Sequence, residues 1–239
     1  MKRIALSTAA LKRLALVFML ADHLAWTFLD ADSLWAGVLH FAGAAAMPLF
    51  VFLLTEGYHH THDLKKYALR LFLFSLISWV PFSLFSALIR GEAPSLSMLW
   101  RLSMLFSLLL ALAALYWWDR APSPGARVLG ILLLCAASLP GDGMFFPLLL
   151  ALAFHIFREK PLQRTLAAVA VSLALVALMA VTADGTHGFW AEAGCHLGMI
   201  PAVFLPLCVS GKRGHGSKWF YYVFYPAHLA VLSAVMLLT

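Results

Sequence analysis

Long apolar runs, separated by short charged or glycine- and proline-containing breaks, fill almost the whole chain. A helix needs about 20 residues to cross a bilayer, and most of the runs are close to that length, the fifth and sixth being shorter. The runs fall near residues 11–29, 34–57, 67–89, 97–117, 127–140, 143–157, 163–182, 189–209 and 219–238. The spacing predicts an all-α fold, a polytopic membrane bundle of about nine transmembrane helices that forms a single domain over residues 1–239.

The composition excludes an ordinary soluble domain. Hydrophobic residues make up 63% of the chain and charged residues only 12%, about half the level in soluble domains, and the mean hydropathy is +0.88. The net charge of +6 is scattered over short loops and is not gathered on one face. We therefore expect membrane lipid, and no nucleic acid, among the partners.

The basic residues are distributed unequally between the two sides of the predicted bundle. If the spans alternate in direction, all of the 17 Lys and Arg residues except Arg90 and Arg101 fall on the side of the N-terminus. Cytoplasmic loops of membrane proteins carry such an excess of Lys and Arg. We therefore predict an N-terminus inside and a C-terminus outside. The predicted outer loops carry acidic residues, namely Asp30, Asp32, Glu92, Asp142 and Asp184.

Three ionisable residues, Asp22, His23 and His228, lie deep within predicted spans. Each such group costs roughly 2.5–3.5 kcal/mol to insert at a helix centre, so we expect it to face the bundle interior and to have a function. His23 lies ten residues beyond Arg13, roughly 15 Å along the first span, and His228 reaches a similar depth in the last span. We predict that the two histidines meet near the midplane and that Asp22 tunes His23 as a general base. The alternative is that these residues serve packing.

For polar residues nearer the outer face we predict roles in packing or in substrate access. His40 and His196 are interpreted as packing or interfacial histidines. Trp100 and Arg101, at the outer start of the fourth predicted span, are candidates to line an outward-facing vestibule for substrate.

The cytoplasmic end of the second span and the loop after it are dense in polar residues. The candidate binding residues there are Glu56, His59, His60, His62, Lys65, Lys66 and Arg70. Cations and imidazoles suit the phosphates of a soluble anionic donor such as coenzyme A. The alternative is a topogenic basic loop that contacts anionic lipid. His59, His62 and Asp63 also have the spacing of metal ligands on one helical face, but no second ligand cluster accompanies them, so we assign no metal site.

Three segments taken together resemble the TraX family, the membrane proteins associated with N-terminal acetylation of conjugative pilin. They are Leu20-Ala21-Asp22-His23 in the first span, the stretch from Pro48 to Arg70, and Phe224-Tyr225-Pro226-Ala227-His228-Leu229 in the last span. Their positions extend the resemblance over the whole chain. The layout is more distantly similar to acyltransferase family 3 and the heparan glucosaminide acetyltransferases, in which an early-span histidine and cytoplasmic basic residues serve acyl transfer from acyl-CoA.

The resemblance implies a transmembrane acyltransferase-like domain. In it, His23 is the catalytic base or a transient acetyl carrier, Asp22 is its partner, Tyr225 and His228 complete the site, and residues 56–70 hold acetyl-CoA. The implied protein is a multi-pass acetyltransferase of the bacterial inner membrane. It moves the acetyl group of cytoplasmic acetyl-CoA to an amine or hydroxyl of an acceptor protein or glycan, such as the N-terminus of a pilin.

Two other functions fit the same residues. In a proton-coupled transporter or lipid flippase, Asp22, His23 and His228 form a proton relay, and substrate moves without consumption of acetyl-CoA. The sequence shows no inverted repeat or pair of matched broken helices, which many transporters have. A non-catalytic assembly factor for a pilus or envelope complex needs none of the three residues.

Overall fold

A computed structural model describes residues 6–183, 189–210, 214 and 218–238 of the chain. Over these residues the regular structure is helical, and extended pairing is limited to isolated bridges between Leu6 and Val209 and between Leu102 and Gly141. The predicted all-α class is confirmed for this part of the chain. Some residues used to predict the topology lie outside the described residues, namely Lys2, Arg3, Asp184, Lys212 and Arg213.

The α-helices of the described residues follow one another along the chain with short connections. In chain order they are α1 (Thr8–Phe28), α2 (Leu34–Ala44), α3 (Ala46–His60), α4 (Leu64–Leu88), α5 (Met104–Arg120), α6 (Pro124–Ala137), α7 (Phe146–Ile156), α8 (Pro161–Thr182), α9 (Phe189–Glu192), α10 (Met199–Ala202) and α11 (Lys218–Leu238). Short 3₁₀ turns lie at Leu96–Trp100, Gly194–Gly198 and Leu205–Cys208.

The chain forms two compact units. The first consists of Met1–Leu53 with Phe157–Tyr221, and the second of Leu54–Ile156 with Tyr222–Thr239. Each unit thus combines an earlier and a later part of the chain. That residues 1–239 form a single domain stays a prediction.

Several of the described helices are long and apolar enough to cross a membrane. They are Leu34–His60, which joins α2 and α3, Leu64–Leu88, Pro161–Thr182 and Trp219–Leu238. Helix α1 has 21 residues but carries Lys12, Arg13 and Asp22, while α6 and α7 are apolar but shorter. The protein is thus all-helical with several candidate membrane spans. The number of nine spans and the direction in which they cross stay predictions.

Helix starts coincide with side chains that cap free backbone N–H groups. A side-chain oxygen of Ser7, Ser33, Asp63 or Ser123 accepts a hydrogen bond from the N–H three residues later, at the N-termini of α1, α2, α4 and α6. Pro124 follows the Ser123 cap, at a position where a residue without an N–H loses no helical hydrogen bond. Each such cap stabilises its helix by about 1 kcal/mol.

The predicted span 189–209 is wrong as a continuous helix. The chain there forms α9, α10 and two 3₁₀ turns in short succession. Pro201 and Pro206 lack the N–H that a helix interior needs, and Gly198 has low helix propensity. Gly198 also lies directly against the backbone carbonyl of Phe41 in α2, where a Cβ atom would overlap the oxygen. The short pieces therefore pack against α2 and α8 within the first unit.

The loop between α4 and α5 is held by polar contacts within the second unit. Arg101 donates two hydrogen bonds to Glu92, at 2.7 and 2.8 Å, and these lower the pKa of the Glu92 carboxyl. The Ser83 hydroxyl donates to the Arg101 carbonyl at 2.8 Å. The fourth predicted span consequently begins later than expected, at Met104. A substrate vestibule lined by Arg101 and the exposed Trp100 stays a prediction.

Replacement of Gly198 by alanine is expected to lower stability by about 1–3 kcal/mol, because the added methyl group meets backbone that cannot rotate away. The control is Gly125→Ala, since a Cβ atom at that position has nothing within 4 Å. The measurement is thermal unfolding of each purified variant in one detergent, followed by tryptophan fluorescence. Equal melting temperatures for Gly198→Ala and the wild type would contradict the described packing on α2.

Candidate functional site

A carboxylate and an imidazole are hydrogen-bonded to each other inside the first unit. Asp22 Oδ1 lies 2.8 Å from His40 Nδ1. Asp22 lies six residues before the end of α1 and His40 six residues after the start of α2, so both lie at the same level of the helical hairpin. The His40 side chain is 4% exposed and the Asp22 side chain 28%. We name this contact the Asp22–His40 pair.

The surroundings of the pair leave one imidazole nitrogen available. Gly43 lies one turn after His40, and a Cβ atom there would overlap the Asp22 side chain, so glycine admits the carboxylate. The centroid of the Trp26 ring lies 4.4 Å from that of the imidazole. Among the described residues His40 Nε2 is buried without a hydrogen-bond partner. An ionised Asp22 requires the proton on Nδ1, which leaves the Nε2 lone pair free to act as a base.

Residues 189–209 of the first unit, which form short helices and turns and which we name the broken segment, add two residues near the pair. Cys195 Sγ lies 3.5 Å from His196 Nδ1, and the Asp22 carboxylate interacts electrostatically with both residues. The sequence favoured packing or interfacial roles for His40 and His196 and predicted no link to Asp22. For His40 a signal was present, because residues 22 and 40 lie at nearly equal distances from the loop that joins α1 and α2.

The two histidines predicted to meet belong to different units. His23 is half-buried in α1 of the first unit. His228 lies in α11 of the second unit, where its Nδ1 donates to the Phe224 carbonyl at 2.9 Å and its ring stacks on that of Phe224. The structure gives Asp22 a contact with His40. The partnership of Asp22 with His23 and the meeting of His23 with His228 stay predictions.

The last turns of α3, α5 and α7 bring together four polar side chains of the second unit, Tyr58, His59, Asp119 and His155, which we name the helix-end network. Tyr58 Oη donates to Asp119 Oδ2 at 2.5 Å, and His155 Nε2 lies 2.8 Å from Asp119 Oδ1. His155 Nδ1 lies 3.1 Å from His59 Nε2, and the two rings are stacked. A continuous hydrogen-bonded chain therefore runs from the phenol through the carboxylate to both imidazoles.

The helix-end network joins donors and acceptors of three helices. Asp119 accepts from one nitrogen of His155, and the other nitrogen shares an N–H with His59. The C-termini of α3, α5 and α7, whose carbonyl dipoles favour cations, lie at the same place. The two imidazole ring centroids lie 5.0 Å apart. Of these residues the sequence indicated His59 but not Asp119 or His155, since contacts between the ends of separate helices leave no spacing pattern.

Other predicted donor-side residues surround the turn between α3 and α4. His60 Nδ1 donates to the Glu56 carbonyl at 2.8 Å and lies 3.7 Å from the Glu56 carboxylate. Lys66 pairs with Asp63 at 3.0 Å, and hydrogen bonds from Lys66 lower the pKa of the Asp63 carboxyl. Arg70 lies one turn further along α4 and is half-buried. The structure thus groups these residues at one end of the second unit.

The remaining predicted residues differ in exposure. His62 and Lys65 are exposed, in the turn before α4 and in its first turn. Tyr225 is buried in α11, and its hydroxyl accepts a hydrogen bond from the Met104 N–H at 3.3 Å. Tyr225 is thereby tied to the start of α5. Its role in completing the site stays a prediction.

The spacing that suggested a metal site does not correspond to one helical face. Helix α3 ends at His60 and α4 begins at Leu64, so His59 lies on a helix while His62 and Asp63 lie in the turn. Asp63 is also committed to the N-cap of α4. Within the described ranges no group of three or more His, Cys, Asp or Glu residues is arranged to hold a metal ion.

The described part of the chain combines apolar helices of membrane-spanning length with a hydrogen-bonded carboxylate–imidazole pair. These features are typical of helical membrane proteins that carry polar groups among apolar helices. The chain belongs to the TraX protein family, which matches residues 7–236, and the predicted family is thereby confirmed. The chain is also 30% identical over 246 residues to the probable fimbrial assembly protein FimC, serogroup H1, of Dichelobacter nodosus, with 99% of each chain covered. No solved structure matches the chain.

Asp22→Asn is expected to destabilise the protein by about 1.5–3 kcal/mol, because it removes the charge from a largely buried hydrogen bond. His40→Gln acts through the same contact, so the double variant should lose less than the sum of the two single losses. Asp30→Asn, in the exposed loop after α1, is the control with the same chemical change. Thermal unfolding in detergent measures all of these variants. Strictly additive losses would show that Asp22 and His40 do not interact.

Proposed function

We propose that the chain is a multi-pass inner-membrane acetyltransferase that transfers the acetyl group of cytoplasmic acetyl-CoA to an amine or hydroxyl, with the N-terminus of a pilin as the first candidate acceptor. The observation that carries the proposal is the Asp22–His40 pair, with its available Nε2. Membership of the TraX family supports it. The relative named as a probable fimbrial assembly protein supports it too, because pilin is the subunit from which fimbriae assemble.

His40 acts as the general base in the proposed reaction. Its Nε2 takes a proton from the acceptor amine while the amine nitrogen attacks the carbonyl carbon of the acetyl thioester. The C–N bond forms and the C–S bond breaks. The coenzyme A thiolate then takes the proton from the imidazolium, which restores neutral His40. Asp22 holds the imidazole in the required tautomer and stabilises the imidazolium between these steps.

His40 takes the role that the family resemblance gave to His23. His23 remains a competing candidate for the base or for a transient acetyl carrier, and His228 for a second catalytic residue. Turnover by variants of these residues separates the assignments. Acetyl-CoA is proposed to bind at the turn between α3 and α4, where Lys65 and Lys66 offer cations to its phosphates.

The proposed topology places the N-terminus in the cytoplasm and counts the segment 189–209, although it is broken into short helices and turns, as one of nine crossings. In this topology the Asp22–His40 pair lies about 9 Å from the outer ends of α1 and α2. The acceptor would therefore approach the pair from the outer side. Basic side chains lie over aromatic rings at several of the predicted cytoplasmic ends, where the excess of Lys and Arg was the basis of the predicted direction. These contacts are Lys12 with Tyr221, Arg70 with Tyr67, Arg120 with Tyr116, Arg127 with Trp118 and Arg164 with Phe52.

A proton-coupled transporter or lipid flippase is the second candidate function. The helix-end network favours it, because acetyl transfer at His40 does not require a second set of titratable groups on other helices. In that function both the Asp22–His40 pair and the network bind protons in turn, and substrate crosses the membrane unchanged. The two candidates differ in whether coenzyme A is released.

The test is acetyl-CoA turnover by the purified full-length protein, with free coenzyme A measured in the presence and absence of a peptide that carries a pilin N-terminus. We expect acceptor-dependent release by the wild type. His40→Gln should lower kcat about 10²–10⁴-fold, the usual contribution of a general base, and Asp22→Asn should also lower it. Asp30→Asn is the matched control and should keep wild-type turnover.

Each other outcome of the turnover assay has a definite meaning. Loss of turnover in His23→Ala with full activity in His40→Gln would place the base at His23 and overturn the assignment to His40. Absence of release by the wild type, combined with proton-driven substrate flux in proteoliposomes, would establish transport instead. Absence of both activities, with assembly of fimbriae intact in all variants, would favour the non-catalytic assembly factor.

A further inference from the structure

Arg70 is enclosed by aromatic side chains of the second unit. It lies six residues after the start of α4, with its guanidinium carbon 5.9 Å from the centroid of the Tyr67 ring. The Tyr222 side chain, from α11, lies near enough to the guanidinium to interact with it electrostatically. The Tyr222 ring is in turn stacked on Phe74, with centroids 5.0 Å apart. We name Tyr67, Arg70 and Tyr222 the Arg70 cradle.

The Arg70 guanidinium has an unused donor. Its Nε is buried and has no hydrogen-bond partner in the part of the chain that the structure describes. Leaving such a donor unpaired is unfavourable, so the position calls for an acceptor from outside the chain. Arg101 provides the contrast, because Glu92 accepts two hydrogen bonds from its guanidinium. The acid closest in sequence to Arg70, Asp63, is already engaged by Lys66.

The position of Tyr67 depends on a glycine in the neighbouring helix. A Cβ atom at Gly57 of α3 would lie 2.9 Å from the Tyr67 hydroxyl oxygen, closer than real Cβ atoms approach other groups. With glycine there, the hydroxyl lies directly against the last turn of α3. Two phenol groups from separate helices are therefore held beside one guanidinium.

The chemistry of the cradle favours an oxyanion. A planar guanidinium and phenol hydroxyls donate hydrogen bonds in the geometry that phosphate oxygens accept. Lys65 lies exposed on the first turn of the same helix and adds positive charge.

We propose that Tyr67, Arg70 and Tyr222 form a binding site for a phosphate group, either a phosphomonoester or a pyrophosphate. Two ligands present this chemistry, namely the phosphates of coenzyme A and the headgroup of an anionic phospholipid. The choice of coenzyme A rests on the proposed function, whereas the preference for a phosphate oxyanion does not.

The first experiment titrates inorganic pyrophosphate into the full-length protein in detergent at low salt and measures binding by calorimetry. We expect saturable binding by the wild type. Arg70→Lys keeps the charge but removes the planar fork, and it should weaken binding about 10-fold or more. Tyr222→Phe removes only one hydroxyl and should weaken binding about 3- to 10-fold. Arg90→Lys, at an exposed position in the predicted outer loop, should bind as the wild type does.

Failure of the wild type to bind pyrophosphate, or equal binding by Arg70→Lys and the wild type, would overturn the proposal. Folding of each variant is checked by its melting temperature, and Tyr222→Phe provides an independent reading if Arg70→Lys is not folded. These results do not depend on acetyl transfer. If the protein binds pyrophosphate through Arg70 but releases no coenzyme A, the phosphate site is supported and the proposed function is contradicted.

The second experiment identifies the source of the phosphate. Free coenzyme A is titrated into the wild type and Arg70→Lys in nanodiscs of phosphatidylcholine alone and in nanodiscs that also contain phosphatidylglycerol. Weaker coenzyme A binding by Arg70→Lys in both membranes supports the donor as the ligand. Loss of the Arg70 effect when phosphatidylglycerol is present supports the lipid headgroup. No difference between the two proteins in either membrane contradicts the site.

Discussion

The hydrogen bond between Asp22 and His40 decides how the first helical hairpin packs. An unpaired carboxylate or imidazole among apolar helices is unfavourable, so α1 and α2 must meet at the level where these two residues lie. Gly43 removes the side chain that would otherwise separate the helices at this level. The broken segment then covers α2 through Gly198, at a second point where only glycine fits. One polar contact and two glycines therefore hold the register of the first unit.

Much of the helical pattern was predictable because the physics that produces it is local. The apolar runs predicted α1, α4, α8 and α11 to within a few residues, and the starts of α1 and α4 follow from Ser7 and Asp63, whose side chains cap the helices. The family was predictable because Asp22 and His228 lie in short motifs with a fixed chain order. Both kinds of signal lie within a few neighbouring residues.

What was missed depends on contacts between separate elements. The run 189–209 is apolar enough for a span, but Pro201 and Gly198 outweigh its hydropathy because one lacks an N–H and the other packs against a carbonyl. Asp119 and His155 lie at the ends of different helices, and the sequence of neither helix indicates a contact with the other. The sequence suggested His23, the neighbour of Asp22, as its partner and did not predict the contact that the structure shows with His40 of the adjacent helix. A buried ionisable group predicts that a partner exists but not which helix carries it.

The most direct test of the account is the acetylation state of a pilin N-terminus produced together with the protein in a bacterial host, read by intact mass spectrometry. The account predicts an acetylated pilin with the wild type and with Asp30→Asn. It predicts an unmodified pilin with Asp22→Asn and with His40→Gln, when each variant is present in the membrane at the wild-type level. Acetylated pilin from both of these variants would contradict the central claim that the Asp22–His40 pair performs the transfer.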